Sequence, residues 1–279
     1  MHILLSKQRK TLWGCAEVKQ RIITGLVLIA VILPCVIFGG IPFQIVMAFV
    51  GVMSVFELLS ICTHAKANIY LYGLLGVFVL YSLFFSKGML VPNTYVILYL
   101  LILLTCGIFD YGMPIDRLCY YFTSAVLVAY GLHMIYYLRA SMDLSFIIML
   151  AFVTFGADTG AYFIGSKFGK HKLNPRLSPK KTIEGSIGGI VIGTVAGVAF
   201  GLCAHMPLAN YSLILICFVL SITGQIGDLT FSSIKRLFEV KDYSQIFPGH
   251  GGCLDRFDSI IFNAMVLGFM LHYLPMVVK

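Results

Sequence analysis

The chain has 279 residues, of which 59% are hydrophobic and only 11% charged, with a formal net charge of +8. Soluble domains carry about 25% charged residues, so composition excludes an ordinary water-soluble enzyme, and the mean hydropathy of +0.93 points to the bilayer as solvent. A positive charge on such a chain fits loops lying beside anionic lipid, and no nucleic-acid partner is expected.

Residues 1–21 are polar and basic, with Lys7, Arg9, Lys10, Lys19 and Arg21. The apolar run from Ile22 to Phe38 is long for a signal-peptide core and lacks a clear small-residue cleavage site, so it is expected to remain as an anchor. Apolar windows long enough to span then recur along nearly the whole length. Nine spans fit: 22–38, 42–62, 69–87, 92–109, 118–138, 144–165, 184–205, 210–231 and 258–277. The fold class expected is all-α: a polytopic integral membrane protein of about nine transmembrane helices, forming one integral membrane domain over 1–279.

Orientation follows from Lys and Arg, which concentrate in cytoplasmic loops. With the N-terminus in the cytoplasm, 17 of the 20 basic residues fall on that side, and only Lys87, Arg139 and Lys279 fall opposite. This puts both charged loops, 166–183 and 232–257, at the cytoplasmic face of the inner membrane. The seventh span repeats glycine every four residues, at Gly185, Gly189, Gly193, Gly197 and Gly201, which makes a ridge without side chains that another helix can approach closely. Tyr70, Tyr95, Tyr120, Tyr121 and Tyr273 sit near span ends as interfacial anchors. The eight cysteines are scattered without a CxxC pair or a Cys/His cluster, which argues against a zinc site or a disulfide framework.

Carboxylates inside apolar segments are costly and mark function. Asp158 lies in the sixth span, about two turns or roughly 10 Å from its cytoplasmic end. Asp228 lies near the end of the eighth. Asp255 and Asp258 are three apart and share one face of a helix. Clustered acids repel unless neutralised, and hard oxygen ligands suit magnesium. Ion pairing with Lys235, Arg236 or Arg256 is the competing account of the same acids.

The bases lie on the same two loops. One carries Lys167, Lys170, His171, Lys172, Arg176, Ser178, Lys180, Lys181 and Thr182; the other carries Lys235, Arg236, Lys241 and Arg256. Lysines among hydroxyls and free backbone N–H groups suit polyphosphate, and Gly249, Gly251 and Gly252 would let backbone approach it. Acids for a divalent cation with bases for phosphate oxygens form the constellation of phosphoryl or nucleotidyl transfer. A near-match to a Walker loop at Gly160–Lys167 has its last two residues reversed and lies in an apolar helix, so it is rejected. His250 reads equally well as a phosphate or proton-transfer group and as a turn histidine.

The run Ser232, Ile234, Lys235, Arg236, Lys241, Asp242, Ser244, Phe247, Pro248, His250, Gly251, Gly252, Asp255, Arg256, Phe257 and Asp258 resembles the signature of the phosphatidate cytidylyltransferases, also called CDP-diacylglycerol synthases. Asp158-Thr-Gly-Ala-Tyr162, Gly165, Phe168-Gly169-Lys170 and Ser178 to Gly185 are similar to that family too. Cys253 departs from it, standing where an aliphatic residue is usual. The resemblance covers the C-terminal half strongly, while the first 140 residues match only as generic spans with a basic amino terminus.

The resemblance implies an all-helical membrane enzyme, often a homodimer, that converts CTP and phosphatidate (phosphatidic acid) to CDP-diacylglycerol and pyrophosphate with magnesium. Asp228, Asp255 and Asp258 would belong to the metal centre, with potassium as a candidate second cation. The catalytic set expected is Asp228, Lys235, Arg236, Lys241, Asp242, His250, Asp255, Arg256 and Asp258. The substrate-phosphate set is Asp158, Ser178, Lys180, Lys181, Thr182, Gly251 and Gly252. A transporter, another CTP-dependent lipid enzyme and a polyprenol kinase are the rival classes.

Overall fold

The computed structural model describes residues 20, 23–62, 68–110, 113–247, 249 and 251–273. The basic segment 1–19, Arg21, Lys66, His250 and Lys279 lie outside the described residues. Among those described, the helices are α1 (Ile23–Phe38), α2 (Gly40–Ser60), α3 (Ile69–Phe85), α4 (Asn93–Phe109), α5 (Ile115–Ser141), α6 (Leu144–Phe168), α7 (Ile183–Cys203), α8 (Asn210–Leu237) and α9 (Leu254–Tyr273). Each apolar run becomes a helix because a helix satisfies its own backbone polar groups, which lipid cannot do. Five of them, α2, α5, α6, α7 and α8, are long and apolar enough to cross a membrane. The helices α1, α3 and α4 are shorter, and α9 opens on a charged turn at Asp255, Arg256 and Asp258.

An all-α expectation misses one element. Between α6 and α7 the chain forms an antiparallel hairpin of β1 (Lys172–Asn174) and β2 (Ser178–Thr182), with Lys172 opposite Thr182 and Asn174 opposite Ser178. Its turn is Asn174-Pro175-Arg176-Leu177, where the Asn174 side chain accepts from Leu177 N at 3.2 Å. Asn followed by Pro favours such a turn by local hydrogen bonding and a fixed φ. Thr182 ends β2 and caps α7, accepting from Gly185 N at 3.2 Å.

Successive helices run antiparallel, so side-chain bonds between them distinguish two ends of the bundle. At one end Arg139 donates to Val36 O and Ile37 O at 2.6 and 2.9 Å, satisfying the last carbonyls of α1. Its guanidinium lies where a side chain at Gly39 (φ +67°) would be. There too, Tyr130 donates to Val91 O and His133 lies 2.9 Å from Gly88 O. The opposite end holds the Tyr120 bond to Leu58 O at 2.8 Å, the Asn68 bond to Asp110 at 2.6 Å, the hairpin and the α8–α9 connection.

The glycine ridge does what its spacing predicts. All five of its glycines are buried, and α6 with α7 forms the most extensive helix pair. A Cβ at Gly185, Gly189 or Gly193 would lie 2.7, 2.6 or 2.8 Å from the carbonyl oxygens of Ala161, Ala157 and Val153. The two backbones therefore touch directly, four residues at a time. Further along, a Cβ at Gly201 would meet Leu213 of α8 at 2.7 Å. This packing fixes the height of Asp158 on α6 against the hairpin that leads into α7.

Candidate active site

Three helix ends and the hairpin converge at the second end of the bundle. On β2, alternate residues point to opposite faces. Lys181 turns inward and pairs with the Asp228 carboxylate of α8, while Lys180 is exposed on the other face. Asp228 also accepts from Ser232 Oγ at 3.3 Å, one turn further along α8. Below this pair, Ser186 of α7 donates to Gln225 Oε1 at 2.6 Å, and Gln225 Nε2 returns a bond to Ser186 O at 3.1 Å. That reciprocal link sets the register of α7 against α8, and so of Lys181 against Asp228.

The charges of Asp158, Asp228 and Asp258 act on one another from α6, α8 and α9, with Lys181 and Lys235 opposing them. Asp158 is exposed, whereas Asp228 and Asp258 are half-buried. A buried polar ladder underlies them: Thr223 donates to Asn263 Oδ1 at 2.7 Å, and Asn263 Nδ2 to Thr154 Oγ1 at 2.9 Å. It ties α8, α9 and α6 together within one or two turns of the three carboxylates. Buried networks whose members are all satisfied rigidify a site.

Asp255 has a different environment. Its side chain is only 3% exposed and pairs at 2.6 Å with Lys235, itself 10% exposed. Asp255 Oδ2 accepts from Tyr243 N at 2.9 Å and from Gly252 N at 2.8 Å. A carboxylate offers about four lone-pair directions, and three are taken here. The Lys235 ammonium also lies 5.3 Å from the Tyr243 ring centre. Asp255 therefore knots the end of α8, the connecting segment and the start of α9 together.

The glycines of the signature make room, and carboxylates fill it. A Cβ at Gly251 (φ +84°) would lie 2.9 Å from Asp255 Oδ2, and one at Gly252 would lie 2.5 Å from Glu57 Oε1. Paired backbone bonds between Phe247 and Gly251, at 3.0 and 3.1 Å, close the small loop between them. Cys253 is buried, and burial pushes its thiol up to about 12, so it stays a thiol at neutral pH.

The remaining expected residues are dispersed. Arg236 donates to Val240 O at 2.9 Å and reaches Leu177 O at 3.5 Å, linking the α8 terminus to the hairpin turn. Lys241, Asp242 and Arg256 are exposed and form no ion pair among the described residues. Ser178 is half-buried in β2, and Thr182 is buried as the α7 cap. His250 lies outside the described residues.

Sequence reasoning missed Glu57. It lies in α2, is fully buried, and accepts bonds from Ser244 Oγ, Cys253 N and Leu254 N at 2.6, 2.7 and 2.7 Å. The signal was available: a lone acid inside an apolar run, the same cue that singled out Asp158. It lay in a half of the chain without motifs.

Carboxylates on three facing helices are hard oxygen donors, the chemistry that suits magnesium. Among the described residues, no three His, Cys, Asp or Glu side chains are drawn together as a ready metal cage, and the Lys181 ammonium already neutralises Asp228. Asp158, Asp228 and Asp258 have the donor chemistry of a divalent-cation site but are not gathered into one, and Asp255 has most of its capacity committed elsewhere.

Fold and centre define an almost wholly helical membrane protein with opposed acids and bases at one end of its bundle. Residues 19–274 match the cytidylyltransferase family, and the chain belongs to that family. The phosphatidate cytidylyltransferase of Bacillus subtilis (strain 168) is 37% identical over 266 residues, covering 91% of this chain and 98% of that protein. The phosphatidate cytidylyltransferase of Staphylococcus haemolyticus (strain JCSC1435) is 34% identical over 264 residues, again 91% and 98%. These matches bear out the resemblance carried by the 232–258 signature and extend it across the N-terminal half.

Proposed function

We propose that this chain transfers the cytidylyl group of CTP to phosphatidate, giving CDP-diacylglycerol and pyrophosphate. Relatives of that name align over nearly their whole length. The observation that carries the reading is the centre at one end of an apolar bundle, where acids from α6, α8 and α9 face Lys181 from the hairpin. A lipid headgroup and a soluble nucleotide can meet only at such an interface. In this reading all nine helices span, the N-terminus is cytoplasmic, and the centre opens to the cytoplasmic face of the inner membrane.

A lipid phosphate oxygen attacks the α-phosphorus of CTP, and the bond to the β-phosphate oxygen breaks in line, releasing pyrophosphate with the electron pair. A phosphate monoester has a second pKa of about 6 and is already nucleophilic at neutral pH, so no general base is required of the protein. Orientation and charge neutralisation remain. Asp158, Asp228 and Asp258 would hold magnesium, which when bound neutralises charge on the triphosphate. Lys181 moves from Asp228 to a substrate phosphate oxygen, and exposed Lys180, Lys241 and Arg256 draw the anionic substrates to the site. Asp255 and Lys235, paired and buried, hold the frame on which Asp258 stands.

The test is direct. Detergent-purified protein is given CTP labelled at its α-phosphorus, magnesium and phosphatidate. Labelled lipid and pyrophosphate should appear one to one. Release of CDP would identify a lipid kinase instead, and absence of labelled lipid would overturn the reading.

A further inference from the structure

We infer that Glu57, on the otherwise apolar helix α2, is a positioning residue that holds the N-terminus of α9 and thereby aims Asp258 at the metal-binding acids. This rests on the function proposed above. The first N–H groups of any helix have no partner within it, and the helix dipole makes them an attractive seat for negative charge. For α9 the partner comes from nearly 200 residues away in sequence. Glu57 takes Cys253 N on Oε1 and Leu254 N on Oε2, both at 2.7 Å, and Ser244 Oγ at 2.6 Å. It is 0% exposed. Gly252 carries no side chain where one would strike this carboxylate.

Asp255 completes the arrangement from the other side, reaching back to Gly252 N at 2.8 Å. Two carboxylates thus hold consecutive amides at 252, 253 and 254. Asp258 lies one turn further along the same helix, where it meets the charges of Asp228 and Asp158. A shift of the α9 start therefore moves Asp258 directly. A buried acid in an apolar helix is costly, so its place needs a reason. Three donors converging on it supply one.

Glu57→Gln keeps the shape and removes the match, because an amide has one acceptor oxygen and turns an NH2 group toward an N–H donor. Two readouts are expected. Hydrogen exchange at 244–258 should accelerate by about 10-fold or more, with α6 and α7 unchanged, as for local rather than global opening. The magnesium concentration giving half-maximal rate should rise by about 10-fold, the scale of a lost outer partner of a metal ligand, with turnover down by about 100-fold. Loss of folded protein alone would lower the rate by one factor at every magnesium concentration. Ser244→Ala keeps both backbone bonds and should stay within about threefold.

An unchanged magnesium requirement, uniform acceleration of exchange across the chain, or an equal loss in Ser244→Ala would each overturn the inference. A wild-type protein without turnover would instead remove the functional reading. The exchange pattern is measured without substrate and tells the two failures apart.

Discussion

The two halves of the molecule use polar residues in opposite ways. From α6 to α9 they are abundant and legible: a glycine ridge, a hairpin of lysines, and acids spaced along three helices. From α1 to α5 charged residues are sparse, and three of them bond backbone of other segments. Arg139 closes the end of α1, His133 meets the α3–α4 connection, and Glu57 seats the start of α9. The C-terminal half supplies groups for chemistry. The N-terminal half supplies the frame and reaches the centre through one carboxylate.

The sharpest way to break this division lies inside the signature. Asp258→Asn should lower turnover by about 1000-fold, as expected for loss of charge stabilisation in a transition state. Its thermal unfolding temperature should hold or rise, because repulsion with Asp228 and Asp158 is relieved. Asp255→Asn should instead lower the unfolding temperature, since stranding buried Lys235 costs about 3–5 kcal/mol. Unfolding scans of both purified variants check the contrast, and equal stability would erase the distinction between the two acids.

Lys181→Met removes the cation that faces Asp228. Turnover at saturating CTP should fall by about 100-fold while the protein purifies normally; wild-type rates would remove Lys181 from the centre. Gly189→Val would place its Cβ 2.6 Å from the Ala157 carbonyl oxygen and should cost about 1–3 kcal/mol by overpacking. A comparable substitution at Gly73, where a Cβ meets nothing within 4 Å, should be silent. Matching unfolding temperatures for those two variants would refute the ridge as a packing device. The smallest effect is expected at Cys253, whose buried thiol resists deprotonation. Cys253→Val should keep activity within about threefold, and maleimide should not label the native residue.

Much of the centre was legible in the chain. Asp228 and Asp258 stand out because charge in an apolar segment is costly, and Lys181 because it lies among hydroxyls on a basic loop; the structure brings them to one end of the bundle. Asp158 was legible for the same reason, and it falls among the acids, within reach of the Lys181 charge. Gly251 and Gly252 were legible as places where something must come close. What comes close is a pair of carboxylates, Asp255 and Glu57, and spacing along the chain says nothing about an atom contributed by α2. Asp255 and Asp258 look alike in sequence, three residues apart on one helix. Only burial and partners separate them.

The sequence by itself determined the solvent, the helical segments, the close approach of α6 and α7, and the end of the bundle where charge gathers. These follow from local facts: the length of apolar runs, glycine every four residues, and acids where acids are costly. The tertiary structure decided which lysine pairs with which aspartate, that Asp255 is spent on holding the chain while Asp228 and Asp258 lie within reach of each other's charge, and that Glu57 belongs to the α9 terminus. Those outcomes depend on how distant segments meet. A hydrogen bond is fixed by distances of a few tenths of an ångström between helices, and no local pattern encodes them.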